Sequence, residues 1–352
     1  MGEILGLGLT HYPPLLGPDE RMAGILESTL RSARVPEAFK DPSSWPRAMR
    51  QEWEANRDAG AAREHRRRHR EALAAVRSAL DDFAPDFIVV WGDDQYENFR
   101  EDGVPPFCVF ALDEVQCRPH QPRAFFDGTN VWGEPTDTVV TVRGHRGGGV
   151  YLASALLDAG FDMAYAYKLR HEGGLPHAFI NTVLFLDYER RGFDYPMVPF
   201  HVNCYGSSVI SKRGGVAHLE GRAAMPDPPG PTPGRCFAVG AAAARALRQS
   251  PWRVALIASS SWSHAFLTEK NHWLYPDVAS DRARFEELRE GCMSRWRELS
   301  TAEIEDAGQQ EFLNWVCLAG AMTALERRPR IVDYIETHIF NSDKCFAIFP
   351  PD

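Results

Sequence analysis

Short, continuous apolar runs recur along this chain, and each stops abruptly on polar or breaker residues. The first, Ile4-Leu5-Gly6-Leu7-Gly8-Leu9, is too short for an ordinary helix and reads as a strand buried on both faces. It ends in Thr10-His11-Tyr12, and Pro13-Pro14 then forbids continuation of strand or helix. Phe87-Ile88-Val89-Val90-Trp91 repeats the pattern and ends in Gly92-Asp93-Asp94-Gln95. Further strands are predicted over 107–111, 139–142, 161–168, 196–203, 252–258 and 344–349. The run at 252–258 leads directly into Ser259-Ser260-Ser261-Trp262-Ser263-His264.

Between these runs the period changes. Leu73, Val76, Leu80 and Phe83 recur at i, i+3, i+7 and i+10, which predicts an amphipathic helix over 61–83. Stepping back four residues at a time brings His69 and then His65 onto the same buried stripe. A helix of ~14 residues is about as long as a six-residue strand. His69 should therefore return to the level of Asp93 and Gln95. Helices are also predicted over 150–157, 178–189, 281–295 and 312–325, in an alanine-rich stretch ending at Ser250, and after Thr301 as N-cap. Glu311, Trp315, Leu318, Met322 and Leu325 share one stripe. A carboxylate heading a buried stripe calls for a cation or a metal; in water it would instead serve the helix dipole.

Strands alternating with helices in this order predict an α/β fold: a single αβα domain over 1–352 with a mixed, mainly parallel central sheet flanked by helices. Residues 17–60 are polar and mixed, and read as an N-terminal helical insertion or lid. Ligand crevices of such folds open at the carboxyl edge of the sheet. That edge is where His11, Asp93 to Gln95, the loop Arg170-His171-Glu172-Gly173-Gly174-Leu175-Pro176-His177, and His264 are delivered.

Composition narrows the function. A formal charge of −9 argues against nucleic acid as a partner, and Arg66-Arg67-Arg68 reads as a solvated helix face. No apolar run reaches the ~18 residues needed to span a bilayer, and no basic n-region opens the chain, so no membrane partner is expected. Seven cysteines without a CxxC pair fit a reducing, cytoplasmic setting. Gly147-Gly148-Gly149 makes no dinucleotide turn, and the serines at 259–261 lack the GxSxG elbow of a nucleophile. What remains is histidines plus a carboxylate at sheet edges. That set suits a 2-His-1-carboxylate face for non-haem Fe(II), or an open zinc site.

Thr10-His11-Tyr12-Pro13, Gly92-Asp93-Asp94-Gln95, Arg170 to Pro176, Ser263-His264, and Glu311 ahead of Asn314-Trp315 occur in an order that resembles the type III extradiol ring-cleaving dioxygenases. The protocatechuate 4,5-dioxygenase catalytic subunit and the O-methylgallate-cleaving branch are the nearest in pattern. The resemblance implies an Fe(II) enzyme that cleaves the ring of a catechol-type aromatic with O2. By position it makes His11 and Glu311 iron ligands, His264 the acid–base histidine, and His171 a second active-site histidine. Tyr12, His177 and Trp262 are the expected pocket-lining residues. In the protocatechuate enzyme the second strand ends in Asn-Asp-His, and that histidine is the third ligand; here the slot reads Asp93-Asp94-Gln95. Gln95, His69 and, after it, His65 are the candidates to replace it. A homodimer is the expected assembly, with a small accessory subunit as an optional partner, since the family includes two-subunit forms. Two rival readings stay open: a zinc-dependent hydrolase or lyase on the same scaffold, and a non-catalytic binding member of the superfamily.

Overall fold

The computed structural model describes residues 2–122, 126–171, 173–207 and 225–351. Its centre is an eight-stranded sheet in the order β6-β3-β7-β2-β8-β1-β10-β9. These are β1 (Glu3–Leu9), β2 (Phe87–Gly92), β3 (Phe107–Phe110), β6 (Ala164–Ala166), β7 (Met197–Val202), β8 (Arg253–Ser259), β9 (Arg330–Ile335) and β10 (Lys344–Phe349). β4 (Glu114–Cys117) and β5 (Val140–Arg143) form a separate two-stranded ribbon. The central four, β7-β2-β8-β1, run parallel, so their carboxyl ends share one edge. β3 and β10 pair antiparallel on either flank.

Alternation along the central strands divides the core in two. Ile4, Val89, Trp91, Leu256 and Ala258 face one side, while Leu5, Leu7, Leu9, Val90 and Ile257 face the other. On the first side lie α4 (Arg146–Asp158), α6 (Pro233–Gln249) and α9 (Phe312–Ala324); on the second lie α3 (Gly60–Phe83) and α5 (His177–Leu186). The shorter helices α1 (Gly24–Arg31), α2 (Arg47–Ala55), α7 (Val278–Arg289) and α8 (Thr301–Asp306) fill the periphery. Residues 17–60 are fastened to the body. Met22, Leu26, Val35, Trp45 and Met49 join the second core, and Glu52 accepts hydrogen bonds from Thr337 and His338.

Close approach of α9 dictates two glycines. A Cβ on Gly8 of β1 would lie 2.0 Å from the Trp315 ring, and one on Gly240 of α6 would lie 1.8 Å from the Cys317 carbonyl oxygen. The second obstacle is backbone and cannot rotate away. Gly240→Ala is therefore expected to cost about 3 kcal/mol by forcing the two helices apart, measured as a lowered urea midpoint at constant slope.

The α3 stripe forms as its spacing predicts: His65, His69, Leu73, Val76, Leu80 and Phe83 are all buried. Other expectations change. The three glycines at 147–149 lie inside α4, whose N-cap is His145, with Nδ1 accepting from the Gly148 N–H. The N-cap of α8 is Ser300 rather than Thr301, in a capping box with Glu303. The strand expected at 161–168 shrinks to β6, and β4 and β9 were not foreseen. Of the arginine triplet, Arg67 alone fits a solvated face. Arg66 is half-buried, donating to Asp19, Tyr188 and the carbonyls of Leu15 and Gly17, and Arg68 pairs with Asp333. Of the long connection at 205–234, residues 208–224 lie outside the described residues.

Candidate functional site

Each of the four central strands contributes a side chain just beyond its carboxyl end. His11 follows β1, Asp93 and Gln95 follow β2, Tyr205 follows β7, and His264 follows β8. Two helix starts complete the group: Glu311 at the N-cap of α9 on one side of the sheet, and His177 at the first residue of α5 on the other. Residues 300 apart in sequence thus meet, with His11 Nε2 3.6 Å from Glu311 Oε2.

The surrounding backbone decides how each ring is turned. His11 Nδ1 lies 2.8 Å from the Ser259 carbonyl oxygen. A carbonyl only accepts, so Nδ1 carries the proton and Nε2 presents its lone pair to the site. His264 repeats the device: its Nδ1 is 2.8 Å from the Trp262 carbonyl oxygen, which leaves Nε2 bare, 3.3 Å from Glu311 Oε1. Burial pushes the His264 ring down to about 3 and lowers His11 as well, helped there by His177, so both are neutral near pH 7. The serines after β8 build the edge. Ser260 Oγ donates to the Glu311 carbonyl, and Thr10 and Ser261 hydroxyls lie 2.7 Å apart.

The carboxylates are the electrostatic problem. Asp93 is fully buried, and neither of its oxygens has a hydrogen-bond partner among the described residues. Glu311 is buried too; Oε1 accepts from the Tyr205 hydroxyl and from Gln95 Nε2, while Oε2 has no partner among the described residues. Burial raises both carboxyls; the charge of Asp93 raises Glu311 further, and that of Glu97 adds to the rise of Asp93. His11 Nε2 stands 3.8 Å from Asp93 Oδ1 and 3.6 Å from Glu311 Oε2. Two donors held ~2.1 Å from one ion span about 3.0 Å when adjacent and about 4.2 Å when opposite. Acceptor atoms facing one another with no hydrogen-bond partner among the described residues fit a divalent cation, and burying such carboxylates is costly without one.

His177 stands beside this group, edge-on to His11 with ring centroids 5.1 Å apart. A ligand atom from each of His11, Asp93 and His177 falls within 4.8 Å of the others, a group that does not include Glu311, whose Oε2 is placed by its 3.6 Å approach to His11 Nε2. His177 Nδ1 is 2.7 Å from Glu97 Oε2, and its backbone N–H donates to the same carboxylate. Burial opposes charge on this ring, but Glu97, with Asp93 and Glu311, outweighs it and lifts His177 to about 9.

Five expected site residues lie elsewhere. His69 reaches the sheet edge on the far side, stacked on Tyr12 at 6.0 Å and edge-on to Phe346, with Nδ1 on its own helix carbonyl at His65. Among the described residues it joins no group of potential metal ligands. His65 lies there too, with Nε2 3.1 Å from Lys344 Nζ. Tyr12 does not line a pocket: it is buried in that second cluster, with Lys344 Nζ 3.7 Å above its ring. Trp262 is core, packed on Trp296, Phe312 and Trp315, because the aromatic face of α9 takes its ring; only its carbonyl serves the site. His171 is 28% exposed and sits 3.4 Å from Asp102 in a surface group with Arg170. Glu97 and Tyr205 were not singled out from the sequence, and Asp93 was placed at this edge without being given a role. Tyr205 gave no signal in its glycine- and serine-rich surroundings, whereas Asp93 at a strand end was as well placed as Gln95.

No family model matches the chain. It is 27% identical over 238 residues to a 2,3-dihydroxyphenylpropionate/2,3-dihydroxicinnamic acid 1,2-dioxygenase of Comamonas testosteroni, covering 68% of this chain and 60% of the relative. A protein of the same name from Paraburkholderia xenovorans is 27% identical over 194 residues, 54% of this chain and 47% of that one. A third, from Pseudomonas putida, is 28% identical over 138 residues, 38% of this chain and 36% of the relative. The matched part therefore spans about 60% or less of these relatives' length. These names bear out the resemblance to the type III extradiol dioxygenases, at a distance. Among solved structures, an uncharacterized protein from Escherichia coli K12 aligns at a TM-score of 0.45 and 13% identity, over 78% of this chain and 91% of that one. Among the described residues no helix is long and apolar enough to cross a membrane.

Proposed function

We propose that this chain, a distant relative of the extradiol dioxygenases, opens the ring of a catechol-type aromatic beside its two hydroxyls, using O2 and a ferrous ion held through His11 and Glu311. The observation that carries this is the pair of buried carboxylates flanking His11 Nε2, Glu311 Oε2 at 3.6 Å and Asp93 Oδ1 at 3.8 Å, neither oxygen having a hydrogen-bond partner among the described residues. A ferrous ion bound there supplies chelation of the diol and electron transfer to O2.

The chain's own residues handle protons and orientation. His264, neutral and with Nε2 aimed into the site, takes a hydroxyl proton from the diol and returns it during ring opening. Tyr205 and Gln95 hold one Glu311 oxygen so that the other faces His11. His177, kept cationic by Glu97, offers a positive partner to the phenolate or a side-chain carboxylate of the substrate. The relatives' names refer to catechols that carry such a carboxylate, which makes acidic catechols the first substrates to try.

The test is anaerobic reconstitution with Fe(II), followed by oxygen uptake with 2,3-dihydroxyphenylpropionate, protocatechuate, gallates and plain catechol. Uptake of one O2 per ring, with a new visible absorbance from the ring-opened product, is expected. Iron-loaded protein that consumes no oxygen with any of them would sink the proposal. Glu97→Gln supplies a finer check. The Glu97 charge favours the cation, so removing it lowers the His177 value from about 9 toward neutral. Deprotonation then occurs at lower pH, and the alkaline limb of kcat/KM is expected to move down by roughly one to two units. An unmoved limb would remove His177 from the mechanism.

A further inference from the structure

We infer that Asp93 completes the metal-binding face with His11 and Glu311, so that the ion is held by one histidine and two carboxylates. This rests on the reading that the site holds a divalent cation, and it assigns the place left open by the Asp93-Asp94-Gln95 strand end.

Three observations separate Asp93 from its competitors. Asp93 is fully buried and both of its oxygens lack hydrogen-bond partners among the described residues, while the neighbouring Asp94 spends its carboxylate on the backbone N–H groups of Glu97, Asn98 and Phe99. Of two adjacent carboxylates, one caps a turn and the other is aimed, unsatisfied, at His11 Nε2 3.8 Å away. Gln95 is already committed: its Nε2 donates to the Tyr205 hydroxyl at 3.0 Å and to Glu311 Oε1 at 3.3 Å, which makes it a group that orients a ligand. His69 is turned into the Tyr12, His65 and Phe346 cluster on the other side of the sheet edge.

The donor set has a chemical consequence. Replacing an imidazole by a second carboxylate makes the face harder and oxygen-rich, which suits Fe(II), Mn(II) or Mg(II) and weakens the advantage of zinc or copper that softer nitrogen-rich faces confer. His177 remains beside the ion as a partner of Glu97.

Titration of the metal-free 352-residue chain with Mn(II), followed calorimetrically and by the EPR signal of the free ion, tests this without turnover. Asp93→Asn is expected to weaken Mn(II) binding by at least about 100-fold, whereas Gln95→Ala loses less than about 10-fold and His69→Ala is unchanged. The asparagine has the shape of the aspartate and removes an unpaired buried charge, so metal-free Asp93→Asn should melt no lower than the wild type. That keeps a loss of binding distinct from a failure to fold. Binding by Asp93→Asn within threefold of wild type, or a loss in Gln95→Ala as large as in Asp93→Asn, overturns the assignment. Wild type that takes up neither Mn(II) nor Fe(II) overturns it together with the proposed activity. Wild type that loads as described but consumes no oxygen defeats the activity alone.

Discussion

Glu311→Gln is expected to lower kcat/KM for ring cleavage by about 10⁴-fold or more, while the metal-free protein melts higher than the wild type. The two effects have one cause. Glu311 sits at the N-cap of α9 with Oε2 buried, unpartnered and 3.6 Å from the His11 lone pair. Without a cation that oxygen is a cost, and a glutamine amide placed there donates to His11 Nε2 and removes it. A gain of about 2 kcal/mol is the expected size for relieving such a group. The same exchange deprives the metal of a charged ligand, and with it the electrophile on which diol binding depends.

The pH dependence follows with a definite sign. Burial, and then the charge of Asp93, raise the Glu311 carboxyl well above its ordinary value in the folded chain. Its contribution to stability is therefore full below the unfolded value, near 4.5, and is lost as pH rises through the higher folded value. Metal-free wild type and Glu311→Gln should thus melt at similar temperatures in mild acid and diverge as pH rises, the variant melting higher. Saturating Fe(II) or Mn(II) reverses the order at neutral pH, because only the wild type gains binding free energy. Scanning calorimetry at several pH values, with and without metal, reads all of this. A variant that still retained iron and turnover would break the link between this carboxylate and the reaction.

Much of the scaffold was legible because buried parallel strands announce themselves. Ile4 to Leu9, Phe87 to Trp91 and Val254 to Ala258 are continuous apolar runs that can hardly be anything else, and their ends fix where His11, Asp93 and His264 must lie. The stripe through His69, Leu73, Val76 and Leu80 was legible for the same reason, since periodicity reports burial. It does not report what a buried polar group is buried for. His69 and Glu311 both fall in phase with a core face, yet one packs against Tyr12 and the other meets His11.

Beyond a strand end the alternation of faces lapses, and direction is set by packing partners distant in sequence. Tyr12 turns toward α3 because Lys344 and His69 receive its ring, and Trp262 turns toward α9 because Phe312 and Trp315 do. Neither partner is visible from the local sequence. Asp93 and Asp94 are the sharpest case. Adjacent and chemically identical, they differ only in that Asp94 finds three backbone donors and Asp93 finds none among the described residues. β9, an edge strand with half-buried residues, carried too little apolar signal to be seen.

His264→Ala is expected to lower kcat by about 10²–10⁴-fold while leaving Fe(II) content unchanged. The geometry separates this histidine from the ligands. His11 approaches Glu311 through Oε2, the oxygen without a partner, whereas His264 Nε2 approaches Oε1, which already accepts from Tyr205 and Gln95. His264 therefore sits next to the cation-binding face instead of within it. Its Nδ1 proton is fixed on the Trp262 carbonyl, so the single position at which it can exchange a proton points into the site. Burial holds the ring down at about 3, with the charge of Lys344 acting in the same direction. A folded-state value that low means that loss of activity on the acid side of neutrality does not come from protonating His264 in the free enzyme. Protonation of the carboxylates whose values burial has raised is the expected cause. The variant should thus keep the wild-type acid limb at a lower overall rate, and single-turnover kinetics should show the deficit in diol deprotonation and ring opening instead of substrate binding. If His264→Ala instead came off the column stripped of iron, as His11→Ala is expected to, the residue would be a ligand and the base would have to be sought elsewhere.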